Sequence, residues 1–381
     1  MPNTRAGHYV LQPGGIRAFE PAPLPPLPPI QMDAELQALL SRADRALGRL
    51  DGSIQTLPNP SLFVFMYVRK EAVLSSQIEG TQASINDLLE VEAQAFSPHH
   101  PRDVDEVLNY VKAMNYGLER LNELPVSVRL IREIHERLLR TARGAHRNPG
   151  ELRQSQNWLG PPGSTPSQAS FVPPPPHLVP RALADLEQFL HAGEPMPALV
   201  KIGLVHAQFE TIHPFLDGNG RVGRLLITLL LCEKEILLRP VLYISHFFKR
   251  HRDRYYERLQ ATRDDGDWEN WLKFFLMGIA EVSLEATETA RRIVALREKH
   301  REIITREFGR VAGNGMIVLE RLFRHPIVHV NSIAELLTVS YPAANNLVAK
   351  FVEHGLLKEV TGQARYRRFR YGEYIDLFAD V

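Results

Sequence analysis

Residues 213–224, HPFLDGNGRVGR, constrain the fold more than any other part of this sequence. Proline disfavours helical geometry in the residue before it, so Pro214 predicts that the preceding helix, ALVKIGLVHAQFETI, ends before His213. Gly218 and Gly220 permit a tight turn, and a second helix is expected to begin within the GNGR run. The centre of the fold is therefore predicted to be two helices joined by a short loop.

The same segment has the residue types of an anion site. Free amides at a helix start attract phosphate. Arg221 and Arg224 lie three residues apart and share a face beside the first turn of the second helix, where two guanidinium groups can bind two phosphates. Asp217 offers a hard oxygen ligand for Mg²⁺, and His213 is placed to take a proton from an incoming hydroxyl. Each residue alone has an ordinary structural explanation, so the prediction rests on their combination.

The segment resembles the Fic family signature HxFx(D/E)GNGRxxR and matches it at every defined position. The resemblance implies transfer of AMP from ATP to a serine, threonine or tyrosine hydroxyl of a target protein, with release of pyrophosphate. It implies His213 as the general base and Asp217 as the residue that holds Mg²⁺ or Mn²⁺. Together with the helical pattern around it, the resemblance covers residues 35–300.

The resemblance also implies the phosphate contacts. The main chain of Gly218 to Gly220, with Asn219, is expected to cradle the α-phosphate. Arg221 is expected to contact the α/β region, and Arg224 the γ-phosphate. The site is therefore expected to hold ATP through all three phosphates.

Other chemistries are alternatives at this stage. The same fold could support phosphorylation or transfer of UMP or phosphocholine, although the intact GNGR run favours a nucleotide with its α-phosphate at the base. A metal hydrolase built on His206 and His213 is disfavoured because Pro214 breaks the helix that would present both. From another class, the chain could be a transcription regulator whose Fic-like domain only senses nucleotide.

Residues 144–180 interrupt the helical pattern with prolines, glycines and small polar residues. Two runs within 150–176, GELRQSQNWLG and SFVPPPP, are similar to the flap of the same family. The resemblance implies a small β-hairpin that holds an extended segment of the target beside the active site. A proline-rich surface loop is the alternative.

Upstream, the run SSQIEG fits the inhibitory motif (S/T)xxxE(G/N) of the family, with Ser75, Glu79 and Gly80 at its defined positions. Ser75 and Glu79 are four residues apart and so share a helical face. Glu79 is expected to pair with Arg224 and to take the place of the γ-phosphate. The same glutamate leaves a reverse activity open, in which the enzyme also removes AMP from its target.

The fold class predicted from these patterns is mainly α, with strands nearly absent before residue 310. A Fic helical bundle with a small β-hairpin flap is expected to precede a C-terminal winged helix-turn-helix domain. The predicted parts are an extended proline-rich arm at 1–34, an N-terminal helical region with the inhibitory helix at 35–110, a Fic catalytic core at 111–300 and a winged helix domain at 301–381. Helices are expected at about 32–60, 61–80, 181–193, 196–211, 219–236, 246–262 and 267–299.

The C-terminal residues suggest a second binding surface. MIVLERLFRH, SIAELLTVS and YPAANNLVAKFVEHG read as three helices, and LLKEV and RYRRFRY as two strands, an order typical of a winged helix. Arginines within 365–371 could contact phosphate, while Asn345, Asn346 and Lys350 could face a groove of DNA. Protein docking or a homodimer contact is equally compatible with such a domain.

Composition restricts the setting of the protein. With 45 Lys and Arg against 44 Asp and Glu, the net charge of +1 provides no global attraction to nucleic acid or an anionic membrane. Cys232 is the only cysteine, which excludes an internal disulfide and a multi-cysteine zinc site. The N-terminus lacks an apolar leader, and no apolar run reaches the roughly 20 residues of a membrane span. A reducing cytoplasm is therefore the expected location.

Overall fold

The computed structural model of the chain describes residues 5–12, 14–55, 57, 60–93, 103–140, 147–161, 163–193, 195–363 and 366–379. The helices are α1 (Ala34–Gln55), α2 (Pro60–Ile78), α3 (Ile85–Glu92), α4 (Val104–Arg120), α5 (Val128–Leu139), α6 (Val179–His191), α7 (Ala198–Ile212), α8 (Asn219–Glu233), α9 (Ser245–Arg250), α10 (Arg252–Asp265), α11 (Trp268–Glu307), α12 (Ala312–Leu322), α13 (Val330–Leu337), α14 (Tyr341–Glu353) and α15 (Gly372–Ala379). The strands are β1 (Gly7–Gln12), β2 (Ile16–Pro21), β3 (Ile327–His329), β4 (Lys358–Glu359) and β5 (Arg368–Arg370). The chain is thus mainly helical, with two small antiparallel sheets.

The centre of the helical body is the pair α7 and α8. Nearly every side chain of both helices is buried, including the charged side chains of Glu210, Arg221 and Arg224. Helix α2 is also enclosed and packs against α4, α8 and α9, while α1 lies along the 40-residue helix α11. As predicted, α7 ends at Ile212 and the next helix begins at Asn219. The loop between them is therefore held at the ends of two buried helices.

Several helix boundaries differ from the predicted ones. The single helix expected at 246–262 is two helices, because the backbone of His251 leaves helical geometry with φ −116° and ψ 40°. Helix α11 continues to Glu307 because the apolar stripe is extended by the buried residues His300 and Ile304. Helix α3 begins after Ser84, whose side chain accepts from Asp87 N, and the side chain of Asp87 completes a capping box.

The expectation that strands are nearly absent before residue 310 is wrong for residues 7–21. These residues form the antiparallel hairpin of β1 and β2. Gly14 and Gly15 both have positive φ, 86° and 77°, and Gly15 N donates to Gln12 O at 3.1 Å to close the turn. A Gly-Gly pair at this place is a hairpin signal that the proline-rich composition concealed.

The proline-rich stretch 21–30 and the residues before it contact the helical body. Arg5 forms an ion pair with Glu269 of α11 at 2.8 Å. Gln208 of α7 donates to Ala22 O at 2.8 Å. Residues 1–4 and 13 of the predicted arm lie outside the described residues.

The predicted flap hairpin is a single antiparallel bridge between Leu159 and Phe171. Proline at 161 and at 173–176 supplies no amide donor, so a longer ladder cannot form there. Residues 144–146 and 162 of the same loop lie outside the described part of the chain.

The C-terminal part contains α12, α13 and α14 and a sheet in the order β3-β5-β4. The predicted strand at 365–371 is shorter, since β5 covers Arg368–Arg370, and residue 365 is not among the described residues. Helix α15 was not predicted. Its Phe378 ring packs on Tyr67 of α2, with centroids 5.4 Å apart. No helix in the described ranges has both the length and the apolar composition to cross a membrane.

Candidate nucleotide site

The loop between α7 and α8 is fixed by its own side chains. His213 adopts left-handed geometry with φ 49°, and its amide donates to Phe209 O at 2.9 Å to end α7. Asn219 Oδ1 accepts from Phe215 N at 2.9 Å, and its Nδ2 donates to Phe215 O at 2.8 Å. The side chain of Asn219 therefore shapes the loop, and the cradle expected for phosphate is left to the main chain.

The start of α8 provides that main-chain cradle. Gly218 has φ 78°, which favours glycine, and Val222 N donates to Gly218 O at 3.0 Å as the first intrahelical bond. The N–H groups of the three residues before Val222 precede this bond and point out of the helix start. A Cβ added to Gly220 would overlap Glu79 Oε1, so a carboxylate lies directly against the helix start. The positive end of the helix dipole favours an anion at this place.

Arg224 is held by the end of α2. Its side chain is 1% exposed. Arg224 Nε donates to Ser75 Oγ at 2.9 Å, and Nη2 donates to Ser75 O at 2.9 Å and to Glu79 Oε1 at 2.7 Å. Burial opposes ionisation of Glu79, but the charge and hydrogen bond of Arg224 hold the pKa of that carboxyl below its ordinary value. The structure thus brings together the predicted residues Ser75, Glu79 and Arg224.

Arg221 has a different partner, which the sequence did not indicate. Arg221 Nη1 donates to Glu106 Oε2 of α4 at 2.9 Å. Its Nη2 is 3.5 Å from Asp217 Oδ1, which also accepts from Gly218 N at 2.6 Å. Asp217 therefore lies at the mouth of the same cradle, beside the first of the two arginines.

His213 lies next to this cradle with a neutral ring. Burial, together with the positive charges of Arg263 and Arg153, lowers the pKa of His213 to about 3. Its Nδ1 is buried and makes no hydrogen bond within the described part of the chain. A neutral imidazole at physiological pH can accept a proton, as a general base must.

The combination of this loop, two buried arginines and a neutral histidine agrees with comparisons to known families. Residues 37–119 match the Fic/DOC family N-terminal model, and residues 125–231 match the Fic/DOC family model. This chain carries a Fic/DOC domain. The matched regions include the end of α2 with Glu79 in the first and the loop with both arginines in the second.

Similar curated proteins extend this result. A probable protein adenylyltransferase of Aquifex aeolicus is 29% identical over 208 residues, which are 53% of this chain and 57% of that protein. The protein adenylyltransferase Fic of Drosophila yakuba is 26% identical over 257 residues, 64% of this chain and 46% of that protein. The chain spans about half the length of the curated relatives it matches. It is a distant homologue of protein adenylyltransferases.

Solved structures show the fold. A Fic family protein from Desulfovibrio desulfuricans G20 superposes with a TM-score of 0.58 at 21% identity, over 90% of this chain and 97% of that one. A Fic domain containing signaling protein from Bacteroides thetaiotaomicron superposes with a TM-score of 0.53 at 18% identity, over 69% of this chain and 97% of that one. The architecture is therefore the mainly helical Fic fold.

The Fic domain uses a second histidine to position its loop. The ring of His135 in α5 stacks on Phe215 with centroids 3.7 Å apart and an angle of 6°. His135 Nδ1 accepts from Gly150 N at 2.8 Å, so Nε2 carries the proton that is donated to Asp217 O at 3.0 Å. Burial lowers the pKa of His135 to about 4, which keeps this arrangement neutral. Sequence reasoning missed His135 because it lies in an ordinary amphipathic helix.

Arg153 is another missed residue of the Fic domain. It is buried, and its guanidinium donates to one main-chain oxygen of the loop, His213 O at 2.9 Å, and to one of the flap region, Pro174 O at 2.6 Å. Its own amide donates to Pro214 O at 3.0 Å. Arg153 therefore joins the flap region to the histidine that begins the signature.

The geometry of the site differs for the two metal-related hypotheses, a hydrolase built on His206 and His213 and a Mg²⁺ ion held by Asp217. His206 is buried, and its nitrogens contact Gly223 O at 2.9 Å and the Tyr255 hydroxyl at 2.8 Å, which is a structural role. The described residues contain no cluster of three or more His, Cys, Asp or Glu that could form an all-protein metal cage. Mg²⁺ commonly needs only one or two carboxylates besides substrate phosphates, and the partly exposed Asp217 fits that requirement.

The flap region of the Fic domain has one occupied edge and one open edge. Phe171 exchanges hydrogen bonds with Leu159, while Val172 O, on the other side of the same strand, accepts from Phe19 N of β2 at 2.9 Å. The main-chain groups of Trp158 and Gly160 face away from Phe171 and have no hydrogen-bond partner among the residues described. The open edge is therefore that of residues 158–160.

Proposed function

We propose that this Fic domain is a protein adenylyltransferase, which transfers AMP from ATP to a serine, threonine or tyrosine hydroxyl of a target protein. The observation that carries the proposal is the joint placement of a neutral His213, the main-chain amides at the start of α8 and the buried guanidinium groups of Arg221 and Arg224. Distant homology to proteins named protein adenylyltransferases supports the same reaction.

The proposed reaction is an in-line displacement at the α-phosphorus. The acceptor hydroxyl gives its proton to His213, and the acceptor oxygen forms a bond to the α-phosphorus. The bond between the α-phosphorus and the bridging oxygen of pyrophosphate breaks, and pyrophosphate leaves with that electron pair. The amides at the start of α8 stabilise charge on the α-phosphate, while Arg221 and Arg224 bind the phosphates of the leaving group.

Asp217 would hold the Mg²⁺ or Mn²⁺ ion that accompanies ATP. A bound divalent ion neutralises phosphate charge and so assists departure of pyrophosphate. Gly218 N donates to Asp217 Oδ1 at 2.6 Å, which fixes the carboxylate beside the cradle.

Glu79 is proposed to restrain this reaction. Its carboxylate pairs with Arg224, the residue assigned to the γ-phosphate, and lies against Gly220 at the helix start. ATP that binds with its γ-phosphate displaced would present a misplaced α-phosphate, and an error of about 1 Å can cost on the order of 100-fold in rate. The reverse activity, in which Glu79 assists a water to remove AMP, is the second form of this proposal.

The target is proposed to add to the open edge at 158–160 as an extended segment. Main-chain pairing would hold it with little sequence selectivity. The edge begins next to Asn157, whose side chain donates to Phe215 O at 2.9 Å and to His213 O at 3.4 Å. An acceptor hydroxyl on such a segment would therefore lie near the imidazole.

The four-part division at 34, 110 and 300 and the winged helix at 301–381 are also proposals. The chain order of helix α12, strand β3, helices α13 and α14 and strands β4 and β5 supports a winged helix, and the three strands form one sheet in the order β3-β5-β4. DNA is one proposed partner of this domain, and a homodimer or protein partner is the other. Asn345 already accepts from Arg367 at 2.6 Å, and Lys350 Nζ donates to Phe308 O at 3.5 Å, so Asn346 is the better candidate for a DNA contact.

The test of the proposed function is incubation with α-labelled ATP, CTP, GTP and UTP in Mg²⁺ or Mn²⁺, followed by intact-mass analysis of the protein and its acceptors. We expect labelled AMP on protein from ATP, more of it with Glu79→Gly, and none with His213→Ala. Nucleotide binding without transfer by all three forms, together with salt-dependent duplex binding that survives His213→Ala, would favour the regulator instead.

A further inference from the structure

The pair of Arg221 and Glu106 links the two parts of the chain that match separate family models. Glu106 lies in the first turn of α4, within residues 37–119, and Arg221 lies in the first turn of α8, within residues 125–231. Both side chains are buried, at 7% and 5% exposure, and their contact distance is 2.9 Å. A buried carboxylate so close to a phosphate-binding arginine requires a physical explanation. Burying two charges is unfavourable unless their geometry is good and further hydrogen bonds satisfy both groups.

The hydrogen bonds of Arg221 show which edge of its guanidinium is occupied. Nη1 donates to Glu106 Oε2. Nη2 is 3.5 Å from Asp217 Oδ1, beyond the usual hydrogen-bond range, and Nε is buried without any hydrogen bond in the described ranges. The Nε and Nη2 hydrogens of a guanidinium point in parallel and bind two oxygens of one phosphate. The edge that suits a phosphate is therefore the one that Glu106 leaves unused.

We propose that Glu106 is a positioning residue: it anchors Nη1 of Arg221 so that the Nε and Nη2 edge is presented to the α/β region of the triphosphate. This inference rests on the proposed function, since it requires ATP at the start of α8. It differs from the restraint assigned to Glu79, because Glu106 binds the far side of its arginine and does not occupy a phosphate position. Arg221 is thereby pre-ordered, and the nucleotide does not have to immobilise it.

Two substitutions at Glu106 distinguish the effect of the position of its oxygen from the effect of its charge. Glu106→Gln keeps an oxygen at the same reach but removes the charge. Glu106→Asp keeps the charge but withdraws the oxygen by one methylene. If positioning matters, Gln retains nucleotide affinity and Asp loses it; if the negative charge matters, the order is reversed.

The experiment is calorimetric titration of ATP and ADP, each with Mg²⁺, into the Glu79→Gly protein and its Glu106 variants, with thermal unfolding to confirm that each variant is folded. We expect Glu106→Ala and Glu106→Asp to weaken both nucleotides by about tenfold or more, and Glu106→Gln by less than about threefold. Both nucleotides should respond equally, because both carry α- and β-phosphates. Arg224→Ala is the matched comparison and should weaken ATP more than ADP.

A double-mutant cycle with Arg221→Ala shows whether Glu106 affects nucleotide affinity through Arg221. In that background Glu106→Asp should change affinity by less than about twofold, since the residue it acts through is gone. Tighter binding in Glu106→Ala would make Glu106 a competitor of phosphate and overturn the inference, as would loss in Glu106→Gln but not in Glu106→Asp. If the Glu79→Gly protein itself binds neither nucleotide, the proposed function fails; if it binds ATP and the Glu106 variants match it, only the inference fails.

Discussion

The two arginines at the start of α8 each meet a carboxylate, but the carboxylates are anchored in contrasting regions. Glu79 follows directly after the last residue of α2 and is 35% exposed, next to Gly80 with φ 98°. Glu106 is the third residue of α4 and is buried with Arg221. Both contacts have similar lengths, 2.7 and 2.9 Å. The two pairs thus differ in the exposure and the anchoring of the carboxylate and not in contact length, and under the proposed function this difference makes the Glu79 pair the releasable one.

The largest expected difference between the two pairs is in their contribution to the free energy of unfolding. Glu106→Ala leaves the buried charge of Arg221 without its partner, so we expect the free energy of unfolding to fall by about 3–5 kcal/mol. Glu79→Ala removes a partly exposed partner and should lower it by about 1 kcal/mol or less. Urea unfolding at neutral pH measures both, with the exposed Glu123→Ala as control. Equal losses at the two positions would contradict the distinction between a permanent and a releasable pair.

Glu79, which should affect stability less than Glu106, should have a large effect on the rate of AMP transfer. Glu79→Gly is expected to increase incorporation of labelled AMP by about 100-fold, because the α-phosphate can then align with the acceptor. Glu79→Gln, which keeps a weaker hydrogen bond to Arg224, should give a smaller increase. The double variant Glu79→Gly with His213→Ala serves as the control and should remain at background. An unchanged rate in Glu79→Gly would remove the restraint from the proposal.

Substitution of His135 tests whether the signature loop is also held by buried contacts other than the pair of Arg221 and Glu106. His135→Phe keeps the stack on Phe215 but leaves Gly150 N and Asp217 O without their partner, at an expected loss of about 1–3 kcal/mol in the free energy of unfolding. His8→Phe, on the exposed face of β1, is the control. A loss no larger than that of the control would show that the loop is held without these two hydrogen bonds.

The same contrast explains what the sequence could predict. The signature loop, its flanking helices and the pairing of Glu79 with Arg224 depend on residues close together in sequence or on a motif with defined positions, and all were predicted. Glu106 and His135 act through contacts between distant helices, and nothing in their local patterns distinguishes them from ordinary helical residues. The β1–β2 hairpin was missed because residues 1–34 were assigned together to an extended proline-rich arm, although its Gly-Gly turn precedes the proline cluster. The flap was predicted as a hairpin, but its prolines restrict it to one bridge.

The smallest predicted effect is the pH dependence of the releasable pair. Arg224 holds the pKa of Glu79 below its ordinary value of 4.5 in the folded state, so the unfolded state binds a proton first as the pH falls. The contribution of the pair to stability is therefore complete above the unfolded pKa and is lost as the pH falls through the folded one. Because Glu79 is partly exposed, the difference in unfolding free energy between the wild type and Glu79→Gln should be about 1 kcal/mol or less at neutral pH and should shrink as the pH is lowered below 4.5. A difference that stays constant throughout the acid titration would mean that shape, rather than charge, holds the end of α2 on Arg224.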